Sequence, residues 1–490
     1  MLFTSFQFVL FLPIVFFLYW LVFNRTNTKI SNLFLIVASY VFYGWWNWKI
    51  CLLLFGVSAI TNSAGYLMTH LRNTNPECEN GKKMRNPVWW VNFATIILCI
   101  GTLGLFKYGD FFIQSFVSAF SFIGINLNVS TLNLILPLGI SFYIFQSLTY
   151  TIDIYQRKIE PTKDIVAYFA FMSFFPQLLS GPIGRASRLL PQYENKRKFD
   201  YNLAISGCWQ ILWGLFMKVC VADRLSVYVD TIYGNLAMHN GTSIALAAIF
   251  YSIQIYCDFA GYSLMAIGVG RLFGIKLDEN FRQPYFAKSI GEFWRRWHIS
   301  LSTWFRDYVY IPLGGNRVSE GRNYFNLFIT FLVSGLWHGA AWSFVLWGGL
   351  HGLYQVLDKM RKKYLPKLGL PLWLKDSIGI VTTFVIVTIA WIFFRLTDIN
   401  MAWDAVVTIF SSAGMPFVDL PTFAYGFTSL AILFVVDIFI EKSSKCHAKP
   451  AIIQKNGMYL IFRYFFAIAL TLWIIGAGVF GGGQFIYFQF

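Results

Sequence analysis

Apolar residues run through this chain in long blocks, not at every second or every third-to-fourth position. The first block, MLFTSFQFVLFLPIVFFLYWLVF, continues to Phe23 before Asn24-Arg25. It has no basic n-region and no small-residue cleavage site, so an uncleaved first span is expected rather than a signal peptide. Further blocks lie near 31–46, 50–70, 87–106, 110–127, 131–153, 165–183, 203–221, 242–275, 323–358, 376–395, 403–417, 422–440 and 458–479. A helix needs ~20 apolar residues to cross the hydrocarbon layer, so roughly eleven to thirteen of these should span. The ~10-residue alternating segments of an outer-membrane barrel are absent. No repeat of roughly 20 to 50 residues and no two-half symmetry is visible, which weighs against an inverted-repeat transporter.

Two stretches depart from the block pattern. The stretch 165–183 carries Pro176, Gly181 and Pro182 and lies between basic loops at 155–163 and 192–200. Basic loops mark the cytoplasmic side, and a crossing at 165–183 would put these two on opposite faces. The stretch is therefore expected to be re-entrant, since irregular backbone at membrane depth is tolerated only against protein or a cavity. From Asp278 to Gly321 the chain is rich in Arg, Trp and Gly and cannot be a plain span. Within it, Ser300 to Asp307 reads as a short amphipathic helix running on to Leu313, stopped by Pro312 and Gly314-Gly315.

Composition confirms hydrocarbon as the main solvent. The 490 residues are 57% hydrophobic and only 13% charged, where soluble domains carry roughly 25% charged residues. The net charge of +16 fits basic cytoplasmic loops at Arg72 to Arg85, Arg157-Lys158 with Lys163, Lys196-Arg197-Lys198, Lys359 to Lys375 and Lys442 to Lys455, with nucleic-acid binding a poor second reading. An inner-membrane protein is expected. Seven cysteines (Cys51, Cys78, Cys99, Cys208, Cys220, Cys257, Cys446) are scattered without a CxxC pair, so they read as packing residues and no metal site is expected.

Six histidines are present: His70, His239, His298, His338, His351 and His447. His338, in GLWHGAAW, ends an apolar run, and an ionisable group at that depth is a functional hypothesis by default. His298, in RRWHIS, is its natural partner, although an interfacial anchor would explain it equally. His351 follows thirteen residues later, about 140° round a continuous helix, so a shared site requires the helix to break. Asp258, in IYCDFAGYS, would orient a histidine or arginine, or else form an internal salt bridge with Arg282, Arg295 or Arg306. PQLLSGPIG offers Gln177 and Ser180 for hydrogen bonding, followed by Arg185 and Arg188, basic residues suited to a phosphate-bearing donor or to lipid headgroups. Neither GxSxG nor a P-loop occurs. Two buried histidines without metal or serine suggest general-base activation of a substrate hydroxyl, for which a neutral imidazole in a low-dielectric site is suited.

Several stretches now taken together carry a resemblance: FLPIVFFLYW and ASYVFYGWW near the N-terminus, LPLGISFYIFQSLTYTIDIYQ (136–156), FFPQLLSGPIGR (174–185), GLFMKVCVADRL (214–225), YCDFAGYSLMAIGVGRLFGI (256–275), NFRQPY (280–285), FWRRWHISLSTWFRDYVYIPLGGNR (293–317), GLWHGAAWSFVLWGGLHG (335–352) and the terminal FIYFQF. The chain resembles the membrane-bound O-acyltransferase (MBOAT) family, in its bacterial alginate O-acetylation (AlgI-like) branch, nearly end to end. The resemblance implies an all-α polytopic membrane fold, a ring of roughly 11–13 helices plus re-entrant segments around a central funnel. It implies one integral-membrane domain over 1–490, with a catalytic core at approximately 131–358 and peripheral helices at 1–130 and 359–490. One departure is Leu264, where the family commonly has a second acid, which leaves Asp258 alone.

On this resemblance His338 and His298 are the expected catalytic pair, with Asp258, Gln177, Ser180, Trp297, Ser302, Trp304, Arg306 and Trp337 supporting or lining the substrate channel and Arg185 and Arg188 at the donor mouth. The implied reaction takes an acyl group, acetyl first, from a cytoplasmic thioester such as acetyl-CoA and passes it outward for O-acetylation of an extracytoplasmic polysaccharide. An extracytoplasmic SGNH-type transferase is the expected partner. No tightly bound cofactor, no metal and no nucleic acid are expected; membrane lipids surround the chain. The alternatives are a transporter or flippase using His298, His338 and Asp258 as a proton relay, and a scaffold recruiting the outer transferase.

Overall fold

The computed structural model describes residues 1–74, 86–134, 136–366, 369–445, 457–481 and 485–486. Among them helix is the only regular secondary structure, as the block pattern requires: without water, a backbone satisfied within its own segment is the cheapest solution. The expected basic segment Arg72 to Arg85 lies mostly outside the described residues, as do Cys78, Cys446, His447 and the latter part of Lys442 to Lys455.

The chain packs as two units. The first, Met1–Ile211 with Met265–Asp278, holds α1 (Phe6–Leu21), α2 (Thr28–Gly44), α3 (Lys49–Thr74), α4 (Pro87–Leu103), α5 (Gly109–Phe122), α6 (Ile140–Tyr155), α7 (Ile165–Ser173), α8 (Phe175–Ser180), α9 (Ala186–Glu194) and the start of α10 (Tyr201–Phe216). The second, Leu212–Leu264 with Glu279–Phe490, holds α11 (Asp223–Gly234), most of α12 (Gly241–Leu272), α13 (Ile290–Arg296), α14 (Ile299–Phe305), α15 (Glu320–His338), α16 (Trp342–Tyr364), α17 (Leu372–Arg395), α18 (Ile399–Ser411), α19 (Leu420–Lys445) and α20 (Gly457–Ala477). Side-chain oxygens of Ser5, Asn27, Asn86, Asp164, Ser289 and Asp398 accept from first-turn N–H groups and set six helix starts.

Seven described helices are long and apolar enough to cross a membrane, with α18 and Ile461–Ala477 shorter apolar helices. The number falls below the apolar-block count for identifiable reasons. The blocks at 87–106 and 110–127 form one helix, α4 running into α5 through a π-helical turn at Gly104–Tyr108. The block 131–153 becomes helical only at Ile140, after Gly139 (φ +74°), where a Cβ would lie 2.1 Å from the Leu178 carbonyl oxygen. The block 323–358 is broken between His338 and Trp342.

The stretch 165–183 is two short helices, α7 and α8, of nine and six residues. Neither reaches the ~20 residues of a crossing, which removes the conflict between the flanking basic loops. Its irregular backbone is held by one side chain of α6 and one of α8. Gln146 donates to the Phe171 carbonyl at 2.9 Å, while Gln177 donates to Gln146 at 3.0 Å and to the Pro182 carbonyl at 3.0 Å. In the same unit the buried Arg197 donates to Tyr19 Oη (2.5 Å), Asn32 Oδ1 (2.6 Å) and the Gln192 carbonyl (3.0 Å).

In the second unit α15 and α16 form a tight hairpin. Gly335 and Gly348 face each other, and a Cβ on either would fall 2.3 Å from the Phe344 carbonyl oxygen or 2.4 Å from that of Phe331. The open end of the hairpin is tied by Glu320, which accepts from Lys363, Tyr324 and Tyr364. The Lys363 ammonium, with the two phenol donors, holds the Glu320 carboxyl down at about 2. Since the folded value lies below the unfolded one, this tie is fully present above the ordinary carboxylate range and is lost as pH falls through about 2.

Gly335 lies one turn before His338, so the close approach also sets the depth of that histidine. Gly335→Ala is expected to force the helices apart, costing roughly 1–3 kcal/mol and lowering turnover as well as the thermal unfolding temperature in detergent. Unchanged unfolding and turnover would show that the hairpin is not tight there.

Candidate active site

Two segments of the second unit bring polar groups into an aromatic core. The first is the stretch 280–300, where residues pair across the turn: Arg282 N–H donates to the Arg296 carbonyl (2.9 Å) and Ile299 N–H to the Asn280 carbonyl (2.9 Å). His298 sits between α13 and α14 with φ +41°, ψ +55°. A left-handed backbone costs an L-residue roughly 1–2 kcal/mol, and strain of this kind collects at functional positions. The imidazole is fully buried, packed edge-on against Phe259 (ring centroids 4.6 Å) and near Trp337 (6.0 Å).

The second segment is the end of α15. His338 is its last residue, and the chain leaves extended at Gly339, where a Cβ would strike the Phe344 ring at 2.1 Å. The buried His338 ring lies 4.9 Å from Trp337, 4.8 Å from Trp347 and 5.4 Å from Phe394. Trp337 is thus in contact range of both histidines. The helix does break after His338, and the His351 ring lies 4.8 Å from Trp347, with its Nδ1 accepting from Trp294 Nε1–H (3.3 Å). No cluster of metal-ligating side chains occurs among the described residues.

Other expected site residues fall elsewhere. Among the described residues Asp258 pairs with neither a histidine nor an arginine: its Oδ1 pairs with Lys218 Nζ (2.6 Å) and its Oδ2 accepts from the Ile486 backbone N–H (2.8 Å). Lys218, carried by the π-helical turn Met217–Ala222 between α10 and α11, also pairs with Asp223 (2.7 Å). The internal salt bridge at Asp258 is therefore made by Lys218 and not by Arg282, Arg295 or Arg306, and nothing in the local sequence points to that lysine. Trp297 is core, 5.0 Å from Trp391 and 5.1 Å from Phe281. Trp304 is buried on α14 with Tyr308 at 5.1 Å, and Ser302 donates to the Trp297 carbonyl at 3.2 Å. Arg306 is largely exposed and pairs with its neighbour Asp307 (2.8 Å).

Gln177 spends its amide on the broken segment of the first unit, as described above. The side chain of Ser180 lies outside the described residues. Arg185 occupies the residue before α9 without a side-chain bond to its first turn, and Arg188 is exposed and pairs with Asp278 (3.0 Å). Sequence reasoning passed over Asn280. Buried at the head of NFRQPY, it contacts His298 Nδ1 (3.1 Å), Ser300 Oγ (2.9 Å) and Ser263 Oγ (3.1 Å).

The description of the membrane-bound O-acyltransferases, MBOAT, matches residues 121–403, which take in Asn280, both histidines and the hairpin break. The chain belongs to the membrane-bound O-acyltransferase family. It is similar to a probable alginate O-acetylase AlgI of Pseudomonas aeruginosa, 38% identical over 407 residues covering 82% of this chain and 73% of that one. A protein of the same description from Pseudomonas putida is 34% identical over 501 residues, 98% of each chain. A peptidoglycan O-acetyltransferase of Helicobacter pylori is 35% identical over 409 residues, 77% of this chain and 73% of that one. This MBOAT chain is therefore a multi-pass membrane O-acyltransferase, which sets aside the transporter and scaffold alternatives.

The Lys218 triad makes its own prediction for this MBOAT chain. Lys218→Met leaves two buried carboxylates without a counter-charge and is expected to cost roughly 3–5 kcal/mol. Adding Asp223→Asn and Asp258→Asn should recover part of the loss in thermal unfolding. A stable Lys218→Met single variant would contradict the ion pairing.

Proposed function

We propose that this protein accepts an acetyl group from a cytoplasmic thioester, acetyl-CoA first among candidates, and transfers it to a hydroxyl reached from the opposite face of the inner membrane, for O-acetylation of an extracytoplasmic polysaccharide. The observation that carries the reading is His338: a buried imidazole at a helix end, walled by Trp337, Trp347 and Phe394, in a chain whose relatives are described as acetylating alginate or peptidoglycan. Arg185 and Arg188 are the basic side chains assigned to the phosphates of the donor, with membrane lipids competing for them. An extracytoplasmic SGNH-type transferase would receive the acetyl group for final delivery.

In the chemical step the acceptor oxygen attacks the thioester carbonyl carbon as His338 takes the hydroxyl proton. The tetrahedral oxyanion then collapses, the C–S bond breaks, and the His338 imidazolium returns its proton to the departing thiolate. General-base catalysis of this kind contributes roughly 10²–10⁴-fold. His298 orients the acceptor or stabilises the oxyanion. The aromatic wall limits water, which would otherwise consume the thioester.

Purified protein in nanodiscs, given radiolabelled acetyl-CoA, tests this. Wild type is expected to cleave the thioester, and His338→Ala to lose at least roughly 10²-fold of that rate. A normally folded His338→Ala variant with full turnover would remove His338 as the base.

A further inference from the structure

A neutral imidazole carries one proton, and whichever ring nitrogen holds it leaves the other with the lone pair. At His298 the neighbours decide which. Nδ1 lies 3.1 Å from the side-chain Oδ1 of Asn280. That atom's identity is fixed by a third group: the backbone N–H of Ser300, 3.2 Å away, can only donate, so what faces it must be the amide oxygen. Ser300 Oγ at 2.9 Å is on the same oxygen, and the Asn280 NH₂ is turned the other way to Ser263 Oγ at 3.1 Å on α12. An amide oxygen cannot donate, so His298 Nδ1 must carry the hydrogen.

We infer that Asn280 is a positioning residue that holds His298 in its Nδ1–H form, so that Nε2 presents a lone pair able to accept from a hydroxyl of the acceptor other than the one His338 deprotonates. The inference rests on the reading of His298 as part of the acyl-transfer site and decides between its two roles. A neutral ring with its proton on Nδ1 offers no N–H through Nε2 to an oxyanion, so His298 orients the acceptor through a neighbouring hydroxyl while His338 removes the proton of the one that attacks.

Asn280 also holds the backbone that presents the ring. Its carbonyl accepts from Ile299 N–H and its side chain from Ser300 N–H, the two residues that follow the left-handed His298. The ring neighbours described on the surrounding elements are Phe259 of α12, Phe281 of the 280–285 stretch and Trp337 of α15, none of them charged. A neutral imidazole suits that setting, and the hydrogen bond to Asn280 is what selects its tautomer.

The test uses full-length protein in nanodiscs labelled with ¹⁵N-histidine, the His298 signals being assigned by their loss in His298→Ala. Wild type is expected to show Nδ1 protonated and Nε2 unprotonated at His298, and Asn280→Asp, which keeps an acceptor oxygen, to show the same. Asn280→Leu, of similar size with no acceptor, is expected to lose that preference. Acetyl-CoA cleavage follows in the same samples: Asn280→Leu falls by roughly 10²-fold, while Asn280→Asp stays within about tenfold of wild type.

A packing role predicts the reverse order, because burying a carboxylate disturbs the fold more than burying a leucine. Asn280→Leu more active than Asn280→Asp, or a wild-type His298 protonated on Nε2, would overturn the inference. Should Asn280→Leu fail to fold, the wild-type and Asn280→Asp spectra still decide it. His298→Ala with full turnover would instead remove the role of His298 in the reaction while leaving the tautomer assignment intact.

Discussion

Hydrocarbon offers no hydrogen bonds, so every polar group this chain carries to membrane depth has to be answered from within the protein. The most polar parts of both units follow from that constraint. In the first, Gln146 and Gln177 answer backbone carbonyls of the broken α7–α8 stretch, and Arg197 is satisfied by three oxygens from three parts of the chain. In the second, Lys218 balances two carboxylates and Asn280 saturates a strained turn. Removing one partner in any of these leaves a group that the surroundings cannot solvate, and for that reason they are expected to be sensitive out of proportion to their number.

The same constraint explains how the site is walled. His338 ends its helix instead of sitting inside it, so its ring leaves the line of α15 and is surrounded by Trp337, Trp347 and Phe394. Aromatic rings fill volume at low conformational cost and give an imidazole a polarisable but dry environment. Gly335 and Gly348 let the two helices close behind it, so the wall is a product of helix packing as much as of the aromatic side chains.

What could be read in the sequence is what depends on local order. Apolar blocks announce helices, Pro176 and Gly181 announce the broken stretch, and the WRRWHIS and LWHGAAW contexts single out both histidines. What could not be read is pairing over distance. Lys218 lies in an MKVCVAD run that names no partner for it, forty positions before the aspartate it neutralises, and its π-helical turn shifts its direction from that of a regular helix. Asn280 stands in a loop, where no periodicity says which way a side chain points. The count of crossings suffered similarly, because hydropathy alone does not show where a continuous apolar run breaks, as after His338, or where two runs fuse, as through Gly104–Tyr108.

Asp258 receives the Ile486 N–H from 228 residues further along the chain, and the neighbouring Phe485 packs on Phe259, the residue against which His298 rests. At roughly 5–20 residues per second of synthesis, that partner emerges some ten to forty-five seconds after the aspartate. Until then Asp258 lacks that donor and Phe259 lacks that ring. Completion of this site is therefore ordered by synthesis: Lys218 and Asp258 are both made long before Phe485 and Ile486, so a chain interrupted before these two holds every candidate catalytic side chain and still lacks the contacts they make to Phe259 and Asp258.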